Sequence, residues 1–464
     1  MIGQQVEHPQ YGPGQVVAVY RNGAELMVRF GNGLRFRRPR HEFEQNGRSL
    51  AEPSPIFGTI YQPPPPMSTN QMEARQLIES LRVGIAPAQH VAELTVNLRQ
   101  EQTSLIKALN EAHQQGGAVR AVVGEYGYGK SHMVELAAQE ALSRDFLVAT
   151  VSLDLLELPP HRGFAIYREA MHHLRYPDTD ERGLGPLLEK TADLQRTIPH
   201  LRDLSPAEID PVVIGLTAYA NTASSRQRKA WLNWLMGGRR VKAMNKGLPR
   251  GLKFPTIYKI GHNARQMAFL FSGLSALARL GGYSGLCLLI DEAESFSLLR
   301  PYQRPKASLF FQAMIYTALR ERQQAIQPDQ FPQHRWRDYP LGYDQNQSLF
   351  FLFTVTRSDN RIPLRDWLQE EEIFYLEPEV PPQEVGQFLQ RILSYHTQAY
   401  AYELTERQTQ VRRGAAELLA QGMRNGRFSM RSTVRMAVEL FDLLYLHHHY
   451  DVATLLDELR DQVR

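Results

Sequence analysis

One segment constrains the fold more than any other: residues 119–136, VRAVVGEYGYGKSHMVEL. The apolar run 119–123 leads directly into Gly124-Glu125-Tyr126-Gly127-Tyr128-Gly129-Lys130-Ser131, which satisfies G-x-x-x-x-G-K-[ST]. A buried strand must therefore turn through glycines into a helix that begins near Lys130. The spacing has a chemical reason. Glycines let successive backbone N–H groups turn inward around phosphates, and the following helix presents its positive end to them. Lys130 is then placed to reach the β- and γ-phosphates, and the Ser131 hydroxyl to coordinate Mg²⁺. Gly124, Gly127, Tyr128, Gly129, Lys130, Ser131 and His132 form the expected ATP-binding set on this segment. Tyr126 and Tyr128 occupy variable positions whose backbone, not side chain, holds phosphate. Packing on the sheet edge is the expectation for these rings, and covering the nucleotide is the alternative.

A second half-site is written in SGLCLLIDEAE, where Asp291 and Glu292 end an apolar strand, 286–290. Both carboxylates should emerge at the carboxyl edge of a sheet, where ligands bind in open α/β folds. Asp291 is expected to hold Mg²⁺ through water, and Glu292 to act as general base on the attacking water. Glu294 stands two residues further on, with its role open. Cys287 lies inside the strand and reads as inert core. Thr356 ends a further apolar strand, 349–356, and can orient the lytic water or contact the γ-phosphate. Thr354 takes that place if the alternation is shifted. In GRFSMRSTVRMAVELFDLL, Ser429 reads as an N-cap, with Val434, Ala437 and Phe441 on one helical face and Arg431 in the first turn.

Continuous apolar strands at 119–123, 146–154, 286–290 and 349–356, separated by helical periodicity, argue for an α/β domain with a parallel sheet covered on both faces. That domain is expected over 71–380, with an insertion around 155–260, followed by an all-helical lid over 381–464. Residues 1–50 alternate β-branched runs with Asn-Gly turns at 22–23 and 32–33, which predicts a small β-barrel module. Residues 51–70, with four consecutive prolines at 63–66, read as a stiff linker. The 464 residues are 43% hydrophobic and 22% charged, with a formal net charge of +4, the balance of an ordinary globular chain with no extreme basic field. A single cysteine excludes an internal disulfide framework. No apolar run reaches the length of a membrane span, and the N-terminus has no signal-peptide pattern, so no membrane association and a cytoplasmic location are expected.

Taken in order, strand, glycine loop, LLIDEAE, polar strand end and SMRSTVR resemble the AAA+ superfamily, nearest its origin-recognition-like branch. ARQLIESLRVGIAP, GEYGYGKSHMVELAAQEA, GYSGLCLLIDEAE and FSMRSTVRMAVELFD are similar to the BREX-system ATP-binding proteins of the BrxD-like group. The resemblance implies a P-loop AAA+ three-layer core, ATP hydrolysis, and action on DNA beside a helicase or another anti-phage defence protein, in a homo-oligomer. It gives Arg431 the role of a lid arginine that reaches the γ-phosphate, with Arg435 one turn further competing for it. It also implies an arginine supplied by a neighbouring subunit, for which Arg320 and Arg322 are the first candidates and Arg300 and Arg304 the next. The phrase His8, Tyr11-Gly12, Gly14, Val16 resembles the SH3/Tudor-like modules of CarD-type factors and of the UvrD tail, which dock on partners. There, Arg35, Arg37, Arg38 and Arg40 form a basic edge suited to phosphate or an acidic surface. In 224–254, Trp231 and Trp234 stand among cations, a pattern that suits single-stranded DNA, but with Leu235 they share one helical face and read as core. Arg239 and Arg240 are the DNA-contact candidates of that segment. The triple histidine at 447–449 lacks spaced partners for a metal.

Overall fold

The computed structural model describes residues 2–463 except 32, 46–47, 50–66, 86–89, 246–256, 258–263, 334–338, 358–361, 378 and 448–449. The four prolines, Asn32, His448 and His449 lie outside the described residues. The chain divides into Met1–Ser68 and Thr69–Arg464.

The larger unit is built on five parallel strands: β7 (Gly117–Val123), β8 (Phe146–Ser152), β9 (Gly285–Asp291), β10 (Leu349–Val355) and β11 (Ile373–Tyr375). Their order in the sheet is β11-β7-β10-β9-β8. In β7, β9 and β10 every residue is buried, and in β8 all but Thr150 and the exposed Ser152 are, as parallel strands covered on both faces must be. Side chains divide by parity between two cores. Val122, Val148, Leu289 and Leu352 pack under the helices α2 (Arg99–Gln115) and α3 (Lys130–Leu142). Val119, Ala149, Leu288 and Phe351 face the other way into a larger core. That second layer contains α4 (Gly163–His172), α5 (Gly185–Thr191), α6 (Thr197–Leu204), α7 (Pro211–Ala220), α8 (Ser225–Leu235), α9 (Ala264–Leu280) and α10 (Arg304–Leu319). The result is a three-layer α/β/α core.

The position of β10 matters most for function. It pairs with β7 on one side (Val355 opposite Val123) and with β9 on the other (Phe353 opposite Ile290). The threonines at its end are therefore delivered between the glycine loop and Asp291-Glu292. β11, a three-residue edge strand after the short helix α11 (Leu364–Trp367), has no counterpart among the strands expected from sequence. Its length explains that, because periodicity needs a longer window.

Helices α12 (Pro382–Tyr400), α13 (Glu406–Arg424), α14 (Met430–Leu446) and α15 (Val452–Val463) form the C-terminal helical part. The helix α1 (Thr69–Arg82), far upstream in sequence, shares their core through Ala74, Leu77, Ile78 and Leu81. A polar tie reinforces this. Arg82 makes hydrogen bonds to both oxygens of Asp442 at 2.9 Å, and the fully buried His396 lies 3.0 Å from the same carboxylate. Those hydrogen bonds, together with the Arg82 charge, hold the Asp442 carboxyl below the usual carboxylate range against the opposing, largest effect of burial.

In the smaller unit, β1 (Gln5–His8), β2 (Gly12–Tyr20), β3 (Glu25–Phe30), β4 (Arg35–Pro39), β5 (Glu44–Gln45) and β6 (Arg48–Ser49) form an antiparallel sheet in the order β4-β3-β2-β1-β5-β6. Val6, Val16, Leu26, Val28, Phe30 and Phe43 fill its core. The expected closed barrel is not formed among the described residues: β4 and β6 are the two outer strands and do not pair. The last strands are two residues each, too short to close the sheet upon itself. Arg35, Arg37 and Arg38 are exposed on β4, Arg37 lying 4.3 Å from the centre of the Tyr20 ring. Among the described residues no helix is long and apolar enough to cross a membrane.

Candidate functional site

The loop after β7 takes the backbone path its glycines permit. Gly127 and Gly129 have φ of +83° and +93°, and Gly129 is the N-cap of α3. Any side chain at either position would be strained. The Gly124 N–H donates to Val355 O at 3.1 Å, which fastens the start of the loop to β10. Lys130 opens α3 and is buried to 7% exposure. Its Nζ donates to Gly124 O (3.1 Å), Glu125 O (3.4 Å) and Thr356 Oγ1 (3.0 Å), and stands 3.4 Å from Glu294 Oε1. Ser131 is exposed in the first turn.

The ring of His132 is held by a neighbour outside the glycine loop. Its Nε2 is 2.9 Å from Thr95 Oγ1, whose own proton goes to Val91 O at 2.7 Å. The imidazole must therefore donate through Nε2, and burial pushes its pKa down to about 4. A neutral ring engaged with Thr95 leaves only the backbone N–H of His132 to offer a phosphate.

On the acidic side, Asp291 ends β9 and is 8% exposed. Its Oδ1 accepts from Thr354 Oγ1 at 2.7 Å and from the Glu292 N–H at 2.9 Å. Glu292 has φ of +59°, a left-handed conformation unusual for a residue with a long side chain. Its N–H, shared between Asp291 Oδ1 and Thr354 Oγ1 (3.0 Å), holds that turn in place. Partial burial raises the Glu292 carboxyl, and the charges of Asp291, Glu294 and Asp154 raise it further, while Lys130 opposes them. The two threonines weighed as alternatives thus do different things. Thr354 organises Asp291 and Glu292, whereas Thr356 donates to Glu294 Oε1 at 2.7 Å and accepts from Lys130. Replacing Thr354 by valine, nearly the same shape, removes the donor to a buried carboxylate. We expect it to lower the unfolding free energy by about 1–3 kcal/mol. Urea titration should show a lower midpoint with unchanged slope; an unchanged midpoint would contradict the role assigned to the hydroxyl.

Glu294, open in the sequence, is the residue that links the halves. One oxygen receives Thr356 and faces Lys130, and the other, Oε2, is buried without a hydrogen-bond partner. An unpaired buried carboxylate oxygen beside the Lys130 ammonium is costly unless the site gives it work. An acidic residue two positions past Asp-Glu was the signal in the sequence, but nothing there indicated its partners.

From the helical part, α14 brings its N-terminus onto the loop. Ser429 caps the helix, accepting from the Ser432 N–H at 3.2 Å. The Arg431 N–H donates to Gly127 O at 3.0 Å, and its Nη1 to the Tyr126 hydroxyl at 2.6 Å. A Cβ on Gly127 would meet Ser429 Oγ at 2.7 Å, a second reason for glycine there. Tyr126 is 71% exposed. The expectation that it packs on the sheet edge is therefore corrected: its ring lies against Arg431. Tyr128 is half-buried.

The glycine loop, the acidic residues after β9 and the start of α14 line one cavity of about 730 Å³, a volume that suits a nucleotide-sized ligand. Its polar lining includes Lys130, Ser131, Asp291, Glu292, Glu294 and Arg431, and its apolar lining includes Leu94, Val96, Leu376, Val380 and Phe388. The four arginines considered for a neighbouring site are placed differently. Arg320 donates to Asp344 O and Arg322 to Gln115 Oε1, at the amino ends of β10 and β7, the edge opposite the cavity. Arg304 donates to Leu299 O, and Arg300 is exposed. Trp231 and Trp234 are 1% exposed and pack edge to face, so they offer no stacking platform. Cys287 is buried, and that burial pushes its thiol well up.

Among known families, a model described as BREX system ATP-binding protein BrxC/D matches residues 69–198, less than a third of the chain. That stretch contains α1, the glycine loop and α3 but stops before Asp291. None of the curated proteins compared with the chain matches it. Among solved structures, a Walker-type ATPase of Pyrococcus abyssi is similar at 14% identity, over 79% of this chain and 76% of that one, with a TM-score of 0.27. So loose a superposition adds no weight to either fold or chemistry.

Proposed function

We propose that this chain binds and hydrolyses ATP as an AAA+ type protein of a BREX-like defence system, acting on DNA with a partner enzyme. One observation carries the chemistry: two hydrogen-bonded groups, Lys130–Thr356–Glu294 and Asp291–Thr354–Glu292, stand side by side at the carboxyl edge of the parallel sheet. In this reading the loop N–H groups and Lys130 hold the phosphates, Glu292 takes the proton of the attacking water, and Thr356 orients that water. Mg²⁺ fits the donors present. It keeps most of its waters and takes phosphate oxygens, so one carboxylate and one hydroxyl suffice, here Asp291 and Ser131. Both hydrogen bonds given to Asp291 fall on Oδ1, which leaves Oδ2 turned to such a role. The ion would neutralise charge on the phosphates.

The defence setting rests on the family match over 69–198, and the DNA role on exposed cations at Arg239, Arg240, Arg35, Arg37 and Arg38. An arginine from a neighbouring copy belongs to the same proposal, with exposed Arg300 the better placed of the four considered. The direct contact of α14 with the loop favours a second reading, a nucleotide-gated assembly switch in which hydrolysis only resets the state. Steady-state phosphate release with and without single- and double-stranded DNA separates the two. The first reading expects DNA to raise turnover several-fold; turnover and assembly state both indifferent to DNA would end it.

A further inference from the structure

Arg431 and Tyr126 are in contact through more than proximity. The Arg431 guanidinium carbon lies 5.1 Å from the centre of the Tyr126 ring, and Nη1 donates to the phenol oxygen at 2.6 Å. The stem of the arginine runs along Gly84, where an added Cβ would stand 2.7 Å from Arg431 Cγ. The backbone N–H of Arg431 is fixed on Gly127 O. Tyr126 gains nothing from the core, since 71% of it is exposed on a loop whose phosphate contacts come from backbone. An exposed aromatic ring with a cation over its face and a hydrogen bond to its hydroxyl is a holder for that cation.

We propose that Tyr126 holds the lid arginine away from the phosphate cradle and thereby sets how strongly the site distinguishes ATP from ADP. The proposal rests on the nucleotide reading above. Arg431 lines the same cavity as Lys130 and Ser131. A guanidinium is better matched by phosphate oxygens than by a phenol, because both partners are charged and the fork is bidentate. Nη1 is one of the two terminal nitrogens, so a fork of both onto phosphate requires its bond to the phenol to be given up. A diphosphate leaves Arg431 on Tyr126; a triphosphate must draw it off, at a cost equal to the tyrosine contact. Tyr126 is then a positioning residue that weakens ATP binding relative to ADP and couples the third phosphate to movement of α14.

The test uses the full chain carrying Glu292→Gln, so that ATP persists, and compares Mg·ATP with Mg·ADP affinity by calorimetry. Tyr126→Ala is expected to raise the preference for ATP over ADP by roughly 5- to 70-fold, the scale of one exposed cation–π contact plus one ordinary solvent-exposed hydrogen bond. Tyr126→Phe, which keeps the ring and loses the hydroxyl, should fall between. In an Arg431→Ala background Tyr126→Ala should change the preference less than twofold, because the partner is gone. A preference that is unchanged or falls on Tyr126→Ala, or that rises equally without Arg431, overturns the proposal. If the chain binds ATP in a Lys130-dependent way but the preference does not move, only this inference fails. If it binds neither nucleotide, the nucleotide reading fails with it.

Discussion

Replacing Lys130 by alanine is expected to lower affinity for ATP by at least about 100-fold, about 2.7 kcal/mol. Two effects add. The ammonium that would meet the β- and γ-phosphates is lost, in a buried position where charge–charge contacts are screened little. Its removal also strips Glu294 of the cation 3.4 Å away, leaving a carboxylate to repel the incoming triphosphate. Lys130→Met, which preserves the buried stem, should lose binding as fully as alanine, which separates the charge from packing. Calorimetric titration of each variant checks this, with thermal unfolding in the absence of nucleotide as the control for fold. Affinity within threefold of the wild type would contradict the assignment of Lys130.

Glu292→Gln should leave ATP binding within a few-fold of the wild type and lower turnover by about 10²–10⁴, the usual contribution of a general base. Glutamine keeps the shape and the backbone hydrogen bonds to Asp291 and Thr354, because those use the main-chain N–H. The pH profile carries a second signature. The carboxyl is raised by burial and by the neighbouring acids, and it must be unprotonated to accept a proton. The rate should therefore fall as pH drops through a value above the ordinary glutamate pKa of about 4.3. In Glu292→Gln that acid limb should disappear along with the rate. A variant that turns over normally would transfer the role to another carboxylate of the cavity, Glu294 beside Lys130 being the first candidate.

How much of this was legible in the sequence varies with the range of the interaction. The glycine loop, its strand and the start of α3 at Lys130 were plain, because the motif is local and its backbone demands are local. The four long strands were plain as well, since burial on both faces writes itself as largely apolar runs, interrupted here only by residues such as Arg120 and Thr150. The closed barrel over 1–50 was not delivered: turn signals specify hairpins, but closure depends on the length of the last strands, here two residues each. The division of labour between Thr354 and Thr356 was also hidden. Alternation puts both on one parity, and only the register of β10 against β9 shows which one reaches Asp291. Glu294 and Tyr126 were visible as residues but not as partners. Their roles come from Lys130 and Arg431, 164 and 305 positions away in the chain, and no local pattern records such contacts.

The central claim is that one nucleotide site is assembled from the glycine loop, Asp291-Glu292, the end of β10 and the start of α14. The most direct measurement is a calorimetric titration of Mg·ATP into the chain carrying Glu292→Gln. One ATP per chain, displaced by ADP and abolished when Lys130→Ala is added, is the predicted result. No saturable binding, or binding that survives the loss of Lys130, would contradict it.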